Sequence, residues 1–341
     1  MTAVQDPGDN LTRAEAQDRA TKLSGVSYTV VLDLTPSSDR PPGAVTGDET
    51  FTSDTTVRFQ ANLHGISTFI DLDAATVREA TLNGRTIPVE SYDKSRSRLP
   101  LRGLSANNEL RIVADCAYQH TGVGLHRFAD PTDGNVYLHT QFEPYDAHRV
   151  FACFDQPDIK ATFALTVTAP DEWTVVSNNP STREGLTSTF SPTPVISTYL
   201  AAVVAGPYHV VRDTHGQTEL AIYCRESLAQ YLDADELFTL TKQGLDFFEA
   251  EFDYPYPFAK YDQLFVPEFN FGAMENPGCV TFNEYMVFRS RQTEASHEGR
   301  ANTLLHEMAH MWFGDLVTMK WWDDLWLNES FATYMATHAS A

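Results

Sequence analysis

Positive charge is scarce in this sequence. Its 341 residues carry 24 Lys and Arg against 46 Asp and Glu, a formal net charge of -22, and no basic cluster forms anywhere. That argues against nucleic acid or an anionic membrane surface as a partner. Long apolar runs are missing as well. The longest, around "YLAAVVAG" (199–206), falls far short of the about 20 residues that a membrane-spanning helix needs. The opening "MTAVQDPGDNLTRAEAQDRATKL" lacks a charged stretch followed by an apolar one, so it does not read as a secretory leader. Cysteine is rare. Cys116, Cys153, Cys224 and Cys279 are scattered with no CxxC pair, and they read as free thiols in a reducing cytoplasm. Internal repeats and low-complexity segments are also absent. With 42% hydrophobic and 21% charged residues, what remains is an ordinary globular composition, long enough for two domains with cores of their own.

Residues 26 to about 211 read mostly as strands. "VSYTVVLDL" (26–34), "TVRFQANL" (56–63), "STFIDLD" (67–73), "ELRIVADCAY" (109–118) and "ATFALTVTA" (161–169) are short and rich in β-branched and aromatic residues. Turn-forming clusters at 35–50 and 178–185 separate them. The pattern then changes. Leu237, Leu240, Leu245 and Phe248 recur at helical spacing within 226–252, and Pro255 and Pro257 break that helix before another strand. "GCVTFNEYMVF" (278–288) predicts a strand, 297–313 a helix, and Asp323 or Asp324 caps a last helix that runs to the end. The fold class is therefore α+β, with a β-rich domain over 1–213 and a second domain over 214–341.

The chemistry sits in "LLHEMAHMWFGDL" (304–316). Positions i and i+4 of a helix lie one turn apart on the same face, so His306 and His310 can direct two imidazoles at one ion. Glu307, beside the first, can reach a water held there as its general base. A catalytic zinc takes three protein ligands and keeps a fourth position open. Glu329, in "WLNESFATY", follows His310 by 19 positions, and a helix reversal would bring it alongside. Its apolar neighbours Leu325, Trp326, Leu327, Phe331 and Tyr334 predict a buried position, and Trp312, Trp321, Trp322 and Trp326 read as core. A His₂Glu set favours one Zn²⁺ per chain over harder ions.

Three segments together resemble a known family. "HEMAHMWFGDLVTMKWWDDLWLNES" (306–330) matches the HExxH-x18-E pattern of the aminopeptidase N family of gluzincin metallopeptidases. "FGAMENPG" (271–278) and "QFEPYDAHRVFACFDQP" (141–157) are similar to two further signatures, in family order. The likeness runs over nearly the whole chain and is closest to actinobacterial cytoplasmic enzymes. It implies a saddle-like β-rich domain followed by the first part of a thermolysin-like catalytic domain. It also implies hydrolysis of the N-terminal residue of peptides, with zinc on His306, His310 and Glu329. By the same resemblance Glu275 and Glu143 bind the free α-ammonium, a task suited to charge-assisted hydrogen bonds. The backbone at Gly272 and Ala273 would hold the peptide extended, and Gln141 and Met274 would border the pocket for its first side chain. The expected partners are peptides with a free N-terminus, and the expected full-length form is a cytoplasmic monomer.

The family pattern also calls for an oxyanion-stabilising tyrosine several dozen residues beyond the third zinc ligand, whereas this sequence stops 12 residues after Glu329. The expectation is a fragment that keeps its metal ligands and loses much of its activity. Alternatives differ in specific residues. A zinc endopeptidase has no use for α-amine anchors such as Glu275 and Glu143. A related epoxide hydrolase with aminopeptidase activity typically carries GGMEN, where this chain has Ala273. A non-catalytic scaffold would usually have lost a zinc ligand or the base.

Overall fold

Along Asn107–Ala117 exposed and buried side chains alternate from end to end, as they do in a strand with one face on a core. Thr50–Ala61 alternates in the same way and pairs with it antiparallel. In the computed structural model, which describes residues 10–35 and 49–341, both lie in an eight-stranded sheet. The strand order is Ser181–Glu184, Thr187–Phe190, Thr162–Thr168, Leu23–Asp33, Thr50–Ala61, Asn107–Ala117, Thr76–Leu82 and Arg85–Thr86. Leu23–Asp33 and Thr162–Thr168 run parallel, and the other neighbours are antiparallel. Val30, Leu32, Val57, Phe59, Leu110 and Ile112 supply the buried face. The expected turn cluster at 35–50 falls almost wholly outside the described residues, as does the start of the chain before Asn10.

The chain gathers into two units that interleave along the sequence. One comprises Met1–Leu125, Gln141–Asp171 and Ser181–Tyr199; the other comprises His126–Thr140, Glu172–Pro180 and Leu200–Ala341. The eight-stranded sheet belongs to the first unit. So does helix α1 (Arg13–Lys22), which the sequence reading missed although a capping box of Thr12 and Glu15 starts it. Within this unit a buried polar network holds the 141–157 segment. Asp71 accepts from Arg19 Nη1 at 2.6 Å, from the Tyr145 hydroxyl at 2.9 Å and from the Asp155 amide at 3.0 Å. His148 Nδ1 lies 2.8 Å from Asp155 Oδ2.

The second unit holds a four-stranded sheet and a five-stranded one. The latter runs Tyr208–His215, Thr218–Arg225, Lys260–Val266, Val280–Asn283, Ala273–Met274, with Lys260–Val266 buried at every position. Thr218–Arg225 and Lys260–Val266 are parallel, so the chain must cross over between them, and it does so through helix α2 (Ala234–Phe252). Leu237, Thr241, Gly244, Leu245 and Phe248 form the helix's buried stripe. Gly244 admits helix α3 (Glu294–His310): a Cβ there would meet Leu305 Cδ2 and Met308 Sδ at 2.8 Å. Helix α4 (Trp326–Ser340) packs on α3.

Several boundaries differ from those read in the sequence. Residues 226–231 form a 3₁₀ helix rather than the start of α2. Helix α3 begins earlier, where the Thr293 hydroxyl accepts from the Ser296 amide, and ends at His310. Neither Asp323 nor Asp324 caps α4. Both belong to a 3₁₀ turn, Trp322–Asp324, and the helix follows Leu325 with no side-chain cap. All four cysteines are buried and free. No helix among the described residues is long and apolar enough to cross a membrane.

Candidate metal centre

The last two turns of α3 carry His306, Glu307 and His310, and the first turn of α4 carries Glu329. The packing of the two helices places three donor groups in a triangle, with both carboxylate oxygens of Glu329 facing the imidazoles. His306 Nε2 lies 3.0 Å from His310 Nε2 and 3.3 Å from Glu329 Oε2, and His310 Nε2 lies 3.7 Å from Glu329 Oε1. An ion about 2.0–2.2 Å from each of three tetrahedral ligands needs them roughly 3.3–3.5 Å apart, so the spacing suits zinc. His310 Nδ1 faces the Phe313 carbonyl oxygen at 2.9 Å, an arrangement that in the neutral ring puts the proton on Nδ1 and leaves Nε2 as the lone-pair side. The Thr333 hydroxyl sits 3.4 Å from His306 Nδ1. Gly314, at φ 141°, makes the tight exit from α3 feasible, since a Cβ there would lie 3.0 Å from His310 Nδ1.

Charge points the same way. Glu275, Glu307 and His310 form a second group, fully buried, that shares His310 with the triangle. Burial alone would push the His310 pKa down, but Glu275, Glu329 and Glu307 outweigh it and hold it well above the usual imidazole range. Burial also opposes ionisation of Glu329, yet its hydrogen bonds to His306 and His310 hold its pKa well below the usual carboxylate range. Glu275 is raised by burial, partly offset by His310. Its Oε1 makes no hydrogen bond among the described residues. Three carboxylates against two imidazoles leave a surplus of negative charge that a divalent cation would neutralise. The donor set fits Zn²⁺.

Gly272, Ala273 and Met274 lead into Glu275. Ala273–Met274 forms the edge of the five-stranded sheet, paired antiparallel with Val280–Asn283, and the Gly272 oxygen accepts from the Asn283 amide at 2.8 Å. An edge strand offers free backbone groups to an extended peptide. Met274 is buried and Ala273 half-buried. Gln141 and Glu143 belong to the first unit, the former buried and the latter half-buried, on the segment anchored by Asp71.

Residues 26–200 match the family model of the peptidase M1 N-terminal domain, and residues 237–341 match that of the peptidase family M1 domain. The chain belongs to peptidase family M1. It is 57% identical over 334 residues to an aminopeptidase N of Streptomyces lividans, an alignment that takes in 96% of this chain and 38% of the relative. It is 34% identical over 286 residues to a probable aminopeptidase 1 of Sulfurisphaera tokodaii, with 78% and 34% of the two chains covered. Against an aminopeptidase M1 of Arabidopsis thaliana it is 40% identical over 205 residues, 58% of this chain and 23% of the relative. The M1 chain therefore spans well under half the length of these relatives.

Two readings of α4 in this M1 chain need correction. Its buried stripe is Asn328, Ala332, Met335 and Ala336, so Trp326, at 61% exposure, and Leu327 and Tyr334 face outward. Of the four tryptophans read as core, only Trp312 is buried, while Trp321 and Trp322 are half-buried. Glu329 is likewise not enclosed by apolar neighbours, since its side chain keeps 39% of its exposure. The Phe313 carbonyl and Thr333 were missed. Thr333 stands four residues after Glu329, on the same helix face, and that spacing could have marked it.

Proposed function

We propose that this chain is the metal-binding part of a zinc-dependent aminopeptidase, with His306, His310 and Glu329 as ligands to one Zn²⁺. The observation that carries the reading is the 3.0–3.7 Å triangle of donors with two buried carboxylates, Glu307 and Glu275, beside it. The names of the Streptomyces, Sulfurisphaera and Arabidopsis relatives support peptides with a free N-terminus as substrates. The family matches at 26–200 and 237–341 support a β-rich domain over 1–213 and a catalytic domain over 214–341. The protein is read as cytoplasmic, a monomer in its full-length form, with no nucleic-acid or membrane partner.

When bound, Zn²⁺ supplies Lewis acidity that acidifies water and polarises the scissile carbonyl. Glu307 accepts a proton from the attacking water and returns it to the leaving amine. It is held for this role in the interior, one residue from a ligand on the same helical turn. Glu275 accepts hydrogen bonds from the substrate's α-ammonium and so limits cleavage to the first peptide bond, and the resemblance gives Glu143 the same role. The edge at Gly272–Ala273 aligns the peptide backbone, and Met274 borders the first side chain's pocket, a role that the resemblance gives to Gln141 as well. The test is hydrolysis of a leucyl chromogenic amide by the zinc-loaded chain, with the N-acetylated amide as control. Weak turnover confined to the free-amine substrate is expected, and equal cleavage of both would contradict the proposal.

A further inference from the structure

We propose that Lys260 and Asn178, which no sequence motif of this site includes, are positioning residues for Glu275 and set how well the site tells a free α-amine from a blocked one. The inference rests on the reading of Glu275 as an α-ammonium acceptor. Glu275 opens the turn that joins Ala273–Met274 to Val280–Asn283. Within the turn the Cys279 amide donates to the Asn276 oxygen at 3.0 Å, and the Asn276 side chain reaches Thr281 Oγ1 only at 3.4 Å. So short a loop does not fix itself, and its two following carbonyls are held from outside. Asn178 Nδ2 donates to the Pro277 oxygen at 2.9 Å, and Lys260 Nζ donates to the Gly278 oxygen at 2.6 Å.

Both donors are themselves immobilised. Asn178 is buried, donates also to the Leu200 oxygen at 2.8 Å and accepts from the Ala202 amide at 2.9 Å, so its amide has one orientation. Lys260 is buried beside Asp262, with Nζ 2.5 Å from Oδ2, and its own carbonyl accepts from the Tyr256 hydroxyl at 2.8 Å. The turn is pressed against both residues. Gly278 has φ 68°, and a Cβ there would lie 2.1 Å from the Asn178 oxygen and 3.3 Å from the Lys260 oxygen. A buried carboxylate that must meet an ammonium in one geometry needs such support, because a misplacement of about 1 Å at a reacting site costs on the order of 100-fold.

The test uses the zinc-loaded chain and two probes, leucine hydroxamate and its N-acetyl derivative, with Kd values measured by calorimetry alongside zinc content. Both probes reach the metal through the hydroxamate, and only the first offers an α-amine. In Asn178→Asp and Lys260→Met the zinc content and the affinity for the N-acetyl probe are expected to hold, while the preference for the free amine falls roughly tenfold. Glu275→Gln serves as the reference. If Glu275→Gln loses the preference and the other two variants keep it, the inference is overturned and the reading of Glu275 stands. If Glu275→Gln keeps it, that reading fails and takes the inference with it. Loss of zinc and of both probes alike in Asn178→Asp and Lys260→Met would make the two residues merely structural and would also overturn the inference.

Discussion

His310 turns its Nδ1 to the Phe313 carbonyl oxygen at 2.9 Å, and the chain can make that approach because residue 314 is glycine. Gly314→Ala would place a methyl 3.0 Å from His310 Nδ1 at a backbone φ of 141° that L residues avoid. The expected result is zinc binding weakened about 10- to 100-fold, the range typical of lost support to a metal-bound histidine. Competition with a chromogenic chelator measures it.

Glu307 is buried beside His310, one residue after His306 on the same helix. Under the proposed mechanism Glu307→Gln keeps zinc and substrate binding and lowers kcat by about 10²- to 10⁴-fold. Zinc content and steady-state kinetics on the same preparation separate this from a loss of metal.

Gly244 lets α2 and α3 approach, and the atoms that a Cβ would meet are the flexible ends of Leu305 and Met308. Gly244→Ala is expected to change stability by under about 1 kcal/mol, because helix propensity and mild crowding offset each other. Gly244→Leu, which those ends cannot accommodate, is expected to cost about 2–3 kcal/mol. Urea denaturation of the two variants measures the difference.

In the first unit, His148 is buried with its Nδ1 2.8 Å from Asp155. Burial lowers its pKa, but the hydrogen bond and charge of Asp155, with Asp71 behind it, outweigh that and leave it raised. A histidine raised in the folded state stabilises fully below its unfolded pKa of about 6.5, and the contribution is lost as pH climbs through the folded value. The unit's urea midpoint is expected to fall above about pH 6.5, and His148→Gln is expected to flatten that slope.

How much of this was legible in the sequence depended on the range of the interaction. The alternation at 107–117 and the i, i+4 histidines are local, and both stand where their spacing placed them. The α4 readings failed because apolar composition was taken for burial. Trp326 and Tyr334 lie off the stripe formed by Ala332, Met335 and Ala336. Asp323 and Asp324 are good cap residues that a 3₁₀ turn consumed before the helix began. Lys260 and Asn178 left no local trace, since what each does depends on carbonyls of the 275–279 turn, far along the chain.

The most direct measurement is zinc stoichiometry and affinity, by metal analysis and chelator competition, in the chain and in Glu329→Ala. Glu329 is the proposed ligand that comes from a different helix, and its place in the triangle depends on the packing of α4 on α3. The account expects one zinc per chain, with affinity reduced at least about 10-fold in the variant. Equally tight zinc in Glu329→Ala, or no zinc in the unaltered chain, would contradict it.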